Sequence, residues 1–174
     1  MAAPTFVAKL QEQIGHEFEA HQQYVSIATY YDALTMPQMA ALFYAQAVEE
    51  RDHAMMMVQY LLDSDEVPEI PALAAPQSGF GDVIAPVKLA LEQEKRVTDQ
   101  ISELTRIARE ANDFASDQFM QWFIKEQVEE ISKMSDLLAV VTRSANDYER
   151  IEDWVAREDK GEGSDPTAPP VAGA

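Results

Sequence analysis

The chain has 174 residues, 47% of them hydrophobic, and its 31 acidic residues against 13 basic ones give a formal charge of -18. That charge repels nucleic acid and anionic lipid while attracting cations, and no run of about 18 apolar residues is present to cross a bilayer. With no Cys, disulfides, iron–sulfur clusters and thiolate zinc sites are excluded, which leaves carboxylate, imidazole and amide groups as possible metal ligands. Met1-Ala2-Ala3-Pro4-Thr5 lacks the basic and apolar regions of a secretory signal. A cytoplasmic protein is therefore expected, with neither membrane nor nucleic acid as partner.

Apolar residues recur at helical spacing from about Thr5 to Ala33, and Pro4 marks the start of that stretch. Thr35 followed by Gln38, with Pro37 between them, reads as a capping box opening a second helix that runs to about Ser64. The short link makes these two helices antiparallel neighbours. Between Glu66 and Gly81, Pro68, Pro71, Pro76, Gly79 and Gly81 exclude a helix and favour an extended connection. A third helix is predicted from about Asp82 to Ala111, with Pro86 in its first turn. Asn112 and Asp113 then precede a fourth, roughly Phe114 to Arg143.

Helices of about 28 residues are about 42 Å long, and an extended connection of about 16 residues reaches about 53 Å. The connection can thus return the chain along the bundle, making the second and third helices parallel. The fold class expected is all-α, a four-helix bundle with one long crossover. Tyr148, Ile151, Trp154 and Val155 form the apolar side of a short fifth helix ending near Glu158. The bundle is expected to occupy residues 1–159. Residues 160–174, with three prolines, two glycines before Ala172 and no apolar periodicity, are expected to be a disordered tail.

Each long helix has an apolar stripe interrupted near its midpoint. Ile14 and Tyr24 flank Glu17 on the first; Phe43 and Met57 flank Glu50 and His53 on the second; Ala90 and Val97 flank Glu94 on the third; Phe123 and Met134 flank Gln127 and Glu130 on the fourth. These polar groups meet at one level of the bundle whichever way each helix runs. Buried together, such acids would cost several kcal/mol per ion from lost hydration and mutual repulsion. No Lys or Arg lies on the stripes, so bound dications account for them best. Oxygen-rich ligation with a single imidazole suits iron or manganese. Glu50 can serve two ions, one held with Glu17 and His53 and the other with Glu94, Glu130 and Gln127, about 3.5–4 Å apart.

With these residues assembled, the chain resembles the ferritin family, over about Thr5 to Glu158. Glu17, the Glu49-Glu50-Arg51-Asp52-His53 run, Glu94 and the Glu126-Gln127-Val128-Glu129-Glu130 run match the ferroxidase residues of its non-haem bacterial members. The resemblance implies Fe(II) as substrate, dioxygen or hydrogen peroxide as oxidant, a stored ferric oxyhydroxide mineral, and a homo-oligomeric cage of twenty-four subunits. It further implies a third iron site at Glu49, Glu126, Glu129 and Glu130, a tyrosine beside the site at Tyr24, and a channel carboxylate at Asp117, where a second channel acid is replaced by Met120. Bacterioferritins have a haem-ligating Met where this chain has Arg51, and a second Glu-x-x-His where it has Gln127 and Glu130, so no haem is expected. Two other readings are a diiron or dimanganese peroxidase or catalase, and a DNA-protecting or scaffold mini-cage; the acidity and the fifth helix oppose the DNA-binding version.

Overall fold

The computed structural model describes residues 2–158 and 165–174. Five helices follow in order: α1 (Pro4–Ala33), α2 (Pro37–Asp63), α3 (Ala85–Glu110), α4 (Phe114–Arg143) and α5 (Tyr148–Glu158), with no strand among the described residues. Proline stands in the first turn of α1, α2 and α3, where its missing N–H has no helical partner to lose. No helix among the described residues is long and apolar enough to cross a membrane.

Two apolar clusters fill the ends of the bundle. One joins the last turns of α1 and α4 to the first turns of α2 and α3, through Tyr31, Met39, Phe43, Val87 and Leu137, with α5 adding Ile151 and Val155. The other joins the first turns of α1 and α4 to the last turns of α2 and α3, through Phe6, Leu10, Leu61, Leu104 and Met120. Each such side chain contributes about 1.5–3 kcal/mol by leaving water. This pairing of ends makes α2 and α3 parallel, as the long crossover requires.

The crossover lies along α1 and pairs with no strand among the described residues, so α1 side chains satisfy its backbone. Gln11 accepts from the Glu69 N–H at 2.8 Å, Glu19 from Ala74 at 3.1 Å, and Gln23 both accepts from Gln77 N at 2.8 Å and donates to its carbonyl at 3.0 Å. Between them Gly15 admits the Pro71 ring, whose Cγ would stand 2.9 Å from any added Cβ. Positions 11, 15, 19 and 23 recur every four residues, one face of a helix.

Three features differ from the sequence expectations. The capping box is absent: Thr35 is in a left-handed turn at φ 58°, and α2 has no side-chain cap of its own. Instead Glu152 of α5 accepts from the N–H groups of Gln38 (2.8 Å) and Met39 (2.9 Å). The third helix starts at Ala85 rather than Asp82, because the Asp82 carboxylate folds over to accept from Ile84 and Ala85, each at 2.8 Å. Residues 165–174 also depart from a disordered tail: Asp165 accepts from Trp122 Nε1 at 3.1 Å, Ala172 N donates to the Met55 carbonyl at 3.2 Å, and Ala168, Val171 and Ala172 pack on the second apolar cluster. The start of the expected tail, 160–164, lies outside the described residues.

Candidate metal centre

Between the two apolar clusters lies a layer of acids. Glu17 from α1, Glu50 and His53 from α2, Glu94 from α3, and Gln127 and Glu130 from α4 are all buried, none more than 4% exposed. Each sits on the stripe that its helix must turn inward, so the packing that buries the apolar residues also buries the acids.

Glu17, Glu50 and His53 each offer a ligand atom, and these atoms lie within 4.8 Å of one another. His53 Nδ1 is 3.4 Å from Glu50 Oε2 and 4.0 Å from Glu17 Oε2. Trp122 and Phe123 stand T-shaped to the His53 ring, with centroids at 5.6 and 5.7 Å. On the far side the Tyr24 hydroxyl donates to Glu94 Oε1. Thr98 Oγ1 donates to Gln127 Oε1 at 2.9 Å, while the Gln127 side chain also hydrogen-bonds Glu94. Gln127 therefore turns its amide nitrogen toward the acid.

Burial, then the charges of Glu94 and Glu17, holds the Glu50 carboxyl well above the usual carboxylate range. Burial pushes Glu94 up to about 7, against the opposing hydrogen bond from Tyr24. Tyr24 itself is raised, first by burial and then by Glu94 and Glu50. Glu17 Oε2, Glu50 Oε2 and Glu94 Oε2 are sealed from solvent without a hydrogen-bond partner. Buried acceptors in this condition are costly unless a cation or proton meets them. The carboxylates of Glu17 and Glu50 beside the His53 imidazole are a donor set that suits a ferrous or manganous ion.

Of the acids expected at a third site, Glu130 belongs to the buried layer, while Glu49 and Glu126 are half-buried and Glu129 is exposed. Glu49 accepts from Gln46 and lies 3.9 Å from Lys133; Lys125 reaches Glu129 at 3.8 Å. Glu49, Glu126 and Glu129, with Asp52, His53, Trp122 and Asp165, line an open pocket of about 540 Å³. Asp117 is remote from the centre, on the first turns of α4, and is engaged by Arg109 at 3.1 Å and Gln121 at 2.8 Å. Met120 is a core residue. Of the other imidazoles, His21 Nδ1 lies 2.6 Å from the Ala47 carbonyl and His16 Nδ1 3.7 Å from Glu19.

Sequence reasoning missed Gln13, Thr98 and Trp122. Gln13 stands one turn before Glu17, and its buried amide donates to Glu17 Oε1 at 2.8 Å. A polar residue four positions from a buried acid is a readable signal. Trp122 precedes the stripe residue Phe123; it lines the pocket and is hydrogen-bonded to Asp165, a partner that sequence spacing does not bring near it.

Fold and site together define a helical bundle with a buried, carboxylate-rich layer at its middle. A family model described as ferritin-like domain matches residues 7–144. Ferritin BfrB of Mycolicibacterium smegmatis is 50% identical over 168 residues, covering 97% of this chain and 93% of that protein. The bacterial non-heme ferritin of Staphylococcus aureus is 33% identical over 147 residues, or 84% of this chain and 89% of that one. An open pore ferritin from the archaeon Archaeoglobus fulgidus superposes with a TM-score of 0.88 at 26% identity, over 93% of this chain and 100% of its own. The chain belongs to the ferritin family.

Proposed function

We propose that this chain is the subunit of an iron-storage ferritin that oxidises Fe(II) at the acidic layer and retains the ferric product as an oxyhydroxide mineral inside a cage of twenty-four copies. The observation that carries this reading is the set of sealed, unpartnered oxygens on Glu17, Glu50 and Glu94. Cations are what such a layer is built to receive, and its oxygen donors suit iron in both oxidation states.

One Fe(II) is held by Glu17, His53 and one oxygen of Glu50; the other by Glu50, Glu94 and Glu130, with Gln127 at its edge. Each iron gives up one electron, and dioxygen or peroxide takes the pair. The carboxylates stabilise the ferric product by their charge. Tyr24, hydrogen-bonded to Glu94, steadies that acid and stands close enough to supply an electron. Glu49, Glu126 and Glu129, with Glu130, form the transit site through which iron passes between the open pocket and the centre; arriving Fe(II) replaces Lys133 and Lys125 as partner of Glu49 and Glu129. No haem enters this reading.

Aerobic addition of Fe(II) to the purified protein, followed by gel filtration and iron counting, tests it. Storage gives hundreds of iron atoms retained on one large soluble particle. A few per subunit would instead identify a peroxidase or catalase, and none in the bundle would identify a scaffold.

A further inference from the structure

Gln13 is buried beside the acidic layer and has two acceptors around its amide. Its Nε2 donates to Glu17 Oε1 at 2.8 Å and to Gln100 Oε1 of α3 at 3.2 Å. A carboxylate on one side and a carbonyl on the other fix which way the amide faces, since only its NH2 end serves both. Glu17 is thereby divided: Oε1 is taken by Gln13, while Oε2 has no hydrogen-bond partner and faces His53 Nδ1 at 4.0 Å.

We infer that Gln13, anchored by Gln100, is a positioning residue that makes Glu17 present a single oxygen to the metal ion it shares with Glu50 and His53. The inference rests on the reading of this layer as a metal centre and adds to it a determinant outside the ligands. Residues that hydrogen-bond a ligating group orient it before the ion arrives and set the geometry the ion finds. Glu94 shows the same division, with Oε1 taken by Tyr24 and Oε2 unpartnered. The acids from α1 and α3 thus each have one oxygen engaged by a donor outside the ligand set and one without a hydrogen-bond partner.

Co(II) titration of the full-length protein, read by its visible absorption, tests this without any turnover of iron. Gln13→Leu, which removes both donors at similar volume, weakens binding of the first Co(II) by about tenfold and alters the position and intensity of its visible bands. Gln100→Leu, at a half-buried position, moves both readouts in the same direction by less. A folded Gln13→Leu protein with wild-type affinity and spectrum overturns the inference. If that variant fails to fold, an unchanged affinity and spectrum in Gln100→Leu overturns it instead. Absence of Co(II) binding by the wild type, or binding indifferent to Glu17→Ala, would reject the metal centre itself, a separate failure.

Discussion

Trp122 donates its indole N–H to Asp165 at 3.1 Å, and the same indole stands T-shaped to the His53 ring with centroids 5.6 Å apart. Residues 165–174 are thus tied to a ring packed against His53 of the acidic layer. Hydrogen bonds from Thr167, then the Trp122 N–H, hold the Asp165 carboxyl well below the usual carboxylate range. A depressed acid contributes its anchoring above its unfolded value and loses it only as pH falls through the folded one, so the anchor is intact at neutral pH. Asp165→Ala releases the segment. Hydrogen exchange at the Ala172 amide, which is bonded to the Met55 carbonyl, rises in this variant; exchange as slow as in the wild type would show that the apolar contacts of Ala168 and Val171 suffice.

Glu152→Ala removes the acceptor for two N–H groups at the start of α2. The expected loss is about 1 kcal/mol, the ordinary effect of deleting a helix cap. Urea unfolding measures it, and Glu152→Gln, which keeps an acceptor oxygen, recovers part of the loss.

The raised carboxyls make the metal-free protein sensitive to pH. Glu94 titrates near 7 rather than at its ordinary 4.5, so over that interval the folded chain holds a proton the unfolded chain has released. Stability from this group therefore falls as pH rises toward 7, and Glu50, raised in the same direction, adds to the trend. Divalent ions reverse it by taking the proton's place. Melting temperatures across about pH 5–8 should decline in chelator, with the gain from added Co(II) growing with pH. A chelated protein that melts at one temperature throughout would contradict the assignment.

His53→Ala removes the imidazole from the centre while leaving the apolar clusters intact. Initial Fe(II) oxidation, followed by stopped flow, slows by at least about tenfold, and the particle elutes unchanged. Undiminished kinetics in an assembled variant would take His53 out of the chemistry.

Much of this architecture is legible in the sequence. Four long apolar stripes give four helices, and a charged residue at the middle of each stripe predicts a buried acidic layer whichever way the helices run. Local patterns failed where the deciding partner is distant in the chain. Thr35 and Gln38 have the spacing of a capping box, yet the cap comes from Glu152, 114 residues beyond Gln38. The tail has no periodicity, and its order depends on Trp122 and Met55, which sequence spacing does not bring near it. Gln13 is hard to read because it lies beside the stripe rather than on it, although it is four residues from Glu17.

The ladder that holds the crossover leaves α1 with little room to vary. From Leu10 to Tyr24 only Glu12 is exposed, because one side of the helix builds the acidic layer and the opposite side grips the returning chain. Two unrelated sets of instructions are written on the same fifteen or so positions. Substitutions tolerated on an ordinary surface helix would here disturb either the chemistry or the route of the backbone, and α1 should be the slowest part of this protein to change.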